Sequence, residues 1–147
     1  MDLPLKIWYC DVCGDPITNP GEAIVTWKED ENHKAYDFKI THKNSYGKLC
    51  DDKMRASSME LTWVLGNSGL VWLTSFMSRG FLGNFKGGNS IKDWDNFTDF
   101  FRRVQLPYYE EARKYFDTDL TKHEMQDSNE VSPYSEDTLK RIIEMNK

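Results

Sequence analysis

The sequence predicts an α+β protein: a zinc-bound β-hairpin lobe, zinc-ribbon-like or treble-clef-like, packed on a bundle of four to five helices. Three observations predict it. The first fifty residues alternate short apolar runs with turn residues, the pattern of strands. From Cys50 onward apolar residues recur at helical spacing. All three cysteines lie in the strand-rich third, beside histidine, in a pattern that suits a tetrahedral metal. The expected divisions are a zinc-binding β lobe over residues 1–56, a helical core over 57–117, and an acidic connection with a C-terminal helix over 118–147.

The elements follow in order. Ile7-Trp8-Tyr9 reads as a short strand, and Asp11 to Gly21 as turns set by Gly14, Pro16, Asn19, Pro20 and Gly21. Ala23 to Trp27 is a strand. Tyr36 to His42 is another, with Tyr36, Phe38, Ile40 and His42 on one side and Asp37, Lys39 and Thr41 on the other. The charged segment Lys28 to Lys34 joins them as a hairpin loop. Asp51 and Asp52 suit the first turn of a helix. A short helix runs through Leu61 to Leu65 and stops at Gly66. Asn67 or Ser68 caps a helix from Leu70 to Arg79, ended by Gly80. Its Leu70, Val71, Trp72, Leu73, Phe76 and Met77 cover most of the circumference, which predicts a central core helix.

Gly83 to Ser90 reads as a loop. It has neither the ending of a phosphate loop nor a strand before it. Ser90 and Asp93 imitate a capping box for a helix bearing Ile91, Trp94, Phe97, Phe101 and Val104 on one side. Pro107 opens a helix through Phe116. Residues 117–137 are acidic, with Lys122 as the only Lys or Arg, and read as a solvated connection or mobile arm. Ser135 caps a last helix whose apolar stripe is Leu139, Ile142 and Ile143.

Zinc takes four ligands in a tetrahedron, preferably thiolate and imidazole. Cys10 and Cys13 supply two across a turn that Gly14 relaxes, and Cys50 supplies a third. His42 is the fourth: it ends a strand on the inward side and lies eight residues before Cys50. His33 sits in a charged hairpin loop and His123 in the acidic stretch. With all four vertices filled by protein the site is structural, not catalytic. Gly14, Pro16 and Pro20 block the helix that a redox Cys-x2-Cys requires.

Other chemistries find less support. Leu61 to Arg79 has the outline of a helix-turn-helix, but its second helix offers Trp72, Phe76 and Met77 where base reading needs polar groups. His33 with Glu29, Asp30 and Glu31 is the only set near the hairpin for a metal-dependent nuclease. No catalytic residue is assigned. A net charge of −5 argues against a bare phosphate-binding surface. The pairs Arg102-Arg103, Arg113-Lys114 and Lys140-Arg141 suit helix ends, and would bind phosphate only if they converged. Tyr108, Tyr109, Arg102, Arg103 and Arg113 are candidate partner contacts. No leader and no membrane span are expected, and an odd cysteine count fits a reducing cytoplasm.

The order of a Cys-x2-Cys-Gly knuckle, His42-Lys43, Cys50, Leu65-Gly66-x2-Gly69-Leu70 and Pro107-x-Tyr109-Glu110-Glu111-Ala112-Arg113 resembles a family of small bacterial and phage proteins. Its members have a zinc-ribbon-like start and a helical remainder. The resemblance spans roughly residues 7–116 and implies the ligands Cys10, Cys13, His42 and Cys50, with no assigned activity. The expected function is a non-enzymatic, zinc-stabilised binding module that regulates a protein partner. A nucleic-acid-binding regulator is the alternative, and the oligomeric state stays open.

Overall fold

Residues 3–44, 48–78 and 90–147 are described by a computed structural model. Strand pairing in the first third is local, as the alternation predicts. β1 (Trp8–Tyr9) and β2 (Pro16–Ile17) form a small antiparallel hairpin with Trp8 opposite Ile17. β3 (Ala23–Glu29) and β4 (Lys34–His42) pair from Ala23 opposite His42 to Glu29 opposite Ala35. Their turn closes on Asp30, whose carboxylate accepts from the Asn32 and Lys34 amides.

The register of this pair slips between Thr26 and Lys28. Opposite that point Asp37 sits at φ 57°, a left-handed conformation that Asp tolerates better than most residues. It is the extra residue of a β-bulge, which reverses the alternation beyond it. Ala35, not Tyr36, therefore shares the core face with Phe38 and Ile40. Tyr36 is half-buried, with the Lys92 ammonium 5.0 Å from its ring centroid.

Three strands were not expected: β2 lies in the stretch read as turns, and two more join the larger sheet. β5 (Ser57–Glu60) pairs antiparallel with β3, and β6 (Ser90–Ile91) pairs parallel with the start of β4. The sheet order is β5-β3-β4-β6. Asp51 and Asp52 thus begin no helix. Asp52 instead accepts from the Met54 amide in a turn, and the strand Ser57 to Glu60 buries Met59.

The first expected helix is a 3-10 turn, Leu61–Val64, which removes the helix-turn-helix outline. α1 (Gly66–Ser78) starts earlier than its expected caps. It buries only Gly69, Leu73 and Phe76, while Val71 is 65% exposed and Trp63, just before it, 61%. α1 is therefore buried on one side only, although apolar on both, and lies at the edge of the described core, not at its centre. Its end at Arg79 and Gly80, and most of the expected Gly83–Ser90 loop, lie outside the described residues. Gly69 marks a close approach, because a Cβ there would overlap the backbone of Val64. Gly69→Ala is expected to cost about 1–3 kcal/mol, read as a lower denaturation midpoint at unchanged slope.

α2 (Trp94–Gln105) is capped by Asp93, which accepts from the Asn96 amide 3.1 Å away, so Ser90 is not the cap. α2 buries Phe97, Phe100, Arg103 and Val104 and leaves Trp94 half exposed. Its inner face is rotated from the expected stripe, toward Arg103. Ring stacks of Phe38 on Phe100 at 5.1 Å and Phe76 on Phe97 at 5.7 Å join β4, α1 and α2. This core takes residues from Trp8 to Val104, on both sides of the expected division at residue 56.

α3 (Tyr109–Arg113) begins after Tyr108, whose φ is 67°, so Pro107 does not open it. α4 (Asp119–Met125), capped by Thr118, lies inside the stretch expected to be a solvated connection. α5 (Glu136–Met145) follows its expected cap Ser135 and buries Leu139, Ile142 and Ile143. With Tyr109 and Ala112 these form a second cluster.

Candidate metal centre

The turn between β1 and β2 carries the first two sulfurs. The Cys10 amide donates to the Asp15 carbonyl and the Gly14 amide to the Cys10 carbonyl, at 3.0 and 2.9 Å. Gly14 has φ 79°, a conformation most side chains resist. The Val12 amide points at the Cys10 sulfur, 3.4 Å away. Asp11, between the two cysteines, docks this turn on β4: its amide donates to the Ile40 carbonyl, and its carboxylate accepts from the Ile40 amide at 2.8 Å. His42 lies two residues further along β4, on the same side as Ile40.

Cys50 is brought in by the loop after β4. Asn44 closes that loop, accepting from the Asp51 amide at 2.9 Å and donating to the Asp51 carbonyl at 3.0 Å. The Lys48 ammonium reaches the Asp15 carboxylate of the first turn at 2.7 Å. The Sγ atoms of Cys10, Cys13 and Cys50 and a ring nitrogen of His42 all lie within 4.8 Å of one another. Cys10, Cys50 and His42 are buried and Cys13 is exposed. His42 Nδ1 is 3.4 Å from the Cys13 sulfur. The four residues predicted from spacing are thus together, close enough to hold a metal ion. They form the one such group among the described residues.

The electrostatics of the site favour a cation. Burial opposes charge on Cys10, but amide N–H groups of Cys13, Val12 and His42 outweigh it and hold its thiol down at about 6. Burial and the neighbouring Cys10 and Cys13 sulfurs push Cys50 up to about 12. Cys10 is thus the sulfur held nearest to a thiolate, while burial and its two neighbours keep the proton on Cys50; a cation bound among them would offset that repulsion.

Asp11 and Asn44 support the ligands, and sequence reasoning missed both. Asp11 was hidden as the filler of a Cys-x2-Cys motif, and Asn44 as an ordinary loop residue.

Asp11 leads from the metal centre into the helices. Its carboxylate accepts from Arg103 Nη1 at 2.7 Å. Arg103, 1% exposed, also donates through Nε and Nη2 to both oxygens of Glu110 at 2.7 and 2.9 Å, and to the Tyr9 carbonyl. Arg113 grips Asp99 with Nε and Nη2, and Tyr109 Oη donates to the same carboxylate at 2.6 Å. Of the candidate partner contacts, Arg103 and Tyr109 are therefore interior. Arg113 is half-buried in this network, and Arg102 stacks over the Tyr134 ring at 3.9 Å. Tyr108 is half-buried beneath the Lys140 ammonium. One member of each basic pair, Arg103, Arg113 and Lys140, has a carboxylate partner.

Burial works against charge on Asp99, yet the hydrogen bonds from Arg113 and Tyr109 outweigh it and hold its carboxyl below the usual range. A depressed folded-state value means a contribution to stability that is full above the unfolded value, about 3.9, and lost as pH falls through the folded one. Asp99→Asn is expected to remove that part of the acid limb. Urea midpoints of the variant and the parent should therefore differ at neutral pH and converge in acid; a constant difference would refute the assignment.

The nuclease set does not assemble. His33 is exposed at φ 61°, 3.8 Å from Glu29, while Asp30 is occupied by backbone amides. No helix among the described residues is long and apolar enough to cross a membrane. Compared with models of known families, with curated proteins and with solved structures, the chain gives no match.

Proposed function

We propose that Cys10, Cys13, His42 and Cys50 hold one structural zinc ion, and that the chain is a non-enzymatic binding module regulating another protein by direct contact. The convergence of three sulfurs and one imidazole carries this reading. That donor set suits zinc in its softness and in its number, and fills a tetrahedron without a vertex for water or substrate. The ion would tie the β1–β2 turn, ribbon-like in form, to the end of β4. Short strands gain there what burial alone does not supply. The alternative of nucleic-acid binding loses part of its support, because Arg103 and Arg113 are engaged by the carboxylates of Asp11, Glu110 and Asp99.

Elemental analysis of the purified full chain should give one zinc per chain. Its affinity for mixed DNA and RNA, titrated against salt, separates the two classes of function. Weak binding at physiological salt is expected. Tight binding that falls steeply with salt would overturn the protein-partner reading and leave the zinc site standing.

A further inference from the structure

Charge in this chain is concentrated near its end. Residues 117–137 carry seven carboxylates, Asp117, Asp119, Glu124, Asp127, Glu130, Glu136 and Asp137, against one cation, Lys122. All seven are exposed. The structure folds this segment into α4, a 3-10 turn at Ser132–Tyr134 and the start of α5. Between those elements lies a groove of about 330 Å³, walled by Phe116, Met125, Pro133, Tyr134 and Ile142, with Lys122 on its lining. Leu120 on α4 and Val131 beside the 3-10 turn are 47% and 69% exposed.

An apolar groove within a strongly acidic segment is a selective surface. The apolar walls favour a side chain that leaves water. The carboxylates repel acidic chains and draw basic ones, and act over about one Debye length of 8 Å. Met125 adds a wall that adapts to the shape of what enters. Of the cations nearby, Arg102 lies over the Tyr134 ring and Lys140 is 3.0 Å from Glu136, which leaves Lys122 as the one cation on the lining against seven carboxylates.

We propose that this groove takes a basic amphipathic segment of a partner protein, with apolar anchors against Phe116, Met125, Tyr134 and Ile142 and Lys or Arg against the acidic rim. Charge complementarity selects this occupant. It rests on the binding-module reading and names the chemistry of the partner. The mode is that of an amphipathic helix laid in a groove.

The probe is a synthetic helical peptide with Lys and Leu at amphipathic spacing, added to the metal-loaded full chain labelled for NMR. Two control peptides replace Lys by Glu or Leu by Ser. Binding of the Lys/Leu peptide should shift resonances of Phe116, Met125, Tyr134 and Ile142, and both controls should bind at least about tenfold more weakly. Glu124→Lys with Asp127→Lys and Glu130→Lys changes exposed side chains only. It should weaken the peptide about tenfold or more while metal content and melting stay unchanged. Equal binding by either control, shifts confined to other elements, or no binding of the Lys/Leu peptide would overturn the proposal. Affinity capture separates this from the broader reading. A partner held equally well by the charge-reversed chain refutes the groove alone, whereas a parent chain that captures no protein refutes both.

Discussion

Cys13→Ser is expected to strip the chain of the proposed zinc and to remove most of its folding stability in one step, although Cys13 is the exposed member of the four. The exposure makes the variant informative. Serine there leaves no cavity, so the usual penalty of a core substitution does not arise. The Sγ atom of Cys13 faces His42 Nδ1 and lies within 4.8 Å of the other donors, so its loss opens the tetrahedron. Structural zinc contributes on the order of 10 kcal/mol in small domains, and a whole domain is stable by only about 5–15 kcal/mol. Even a fraction of the first figure is most of the second.

The β1–β2 hairpin has two residues per strand and cannot hold itself. Without the ion it would keep its docking through Asp11, the hydrogen bonds of Trp8 and Tyr9 to Arg103 and Glu110, and the burial of Trp8 and Ile17. Thermal melts by circular dichroism and elemental analysis read both effects. The parent chain treated with a strong chelator should melt like the untreated variant, and chelator should leave the variant unmoved. Full metal content with an unchanged melt in Cys13→Ser would refute the site.

How far the fold can be read from the sequence depends on how local its causes are. The ligand set was legible because softness and spacing are properties of a few residues. His42 was read as inward by strict alternation from Tyr36, and only part of that alternation survives. The bulge at Asp37 lies before Phe38, so it displaces Tyr36 and leaves the parity of Phe38, Ile40 and His42 intact. β6 and β5 have two and four residues, too few to show a period. They exist because β3 and β4 offer edges to pair with. α1 looked like a central helix because its composition is apolar all round. Composition does not say which apolar residues find a partner, and among the described residues Leu70, Val71 and Met77 stay 40%, 65% and 41% exposed. The acidic stretch concealed α4, whose inward residues Thr121 and Met125 carry no strong signal against so many carboxylates.

The pair Arg102-Arg103 was the least legible feature of all. Two adjacent arginines on a helix point in different directions, and sequence does not say which one turns inward. Arg103 does, because acceptors wait on three separate elements: Glu110 on α3, Asp11 in the cysteine turn and the Tyr9 carbonyl on β1. Glu110 in turn accepts from the Tyr9 amide, and Trp8 Nε1 donates to the Arg103 carbonyl. This network is where the metal lobe and the helices become one structure.

Glu110→Gln tests that junction with a near-isosteric change. It leaves the buried guanidinium with the Asp11 carboxylate alone, and breaking a buried pair from one side costs about 3–5 kcal/mol. Arg103→Met leaves a buried carboxylate and should cost a similar amount. Joined, the two should cost at least about 1 kcal/mol less than their sum, since position 110 then strands no charge and Asp11 keeps Arg113 at 3.9 Å. Strict additivity, or a Glu110→Gln chain within about 0.5 kcal/mol of the parent, would show that the network is not coupled. Asp11→Asn carries the same test to the proposed zinc. It keeps a carbonyl oxygen for the Ile40 amide but loses the charge that holds Arg103. A group that orients ligands in this way is worth about 10–100-fold in metal affinity. Competition against a chromophoric chelator reads that number directly. An affinity equal to the parent's would mean that the cysteine turn keeps its shape without help from the helices.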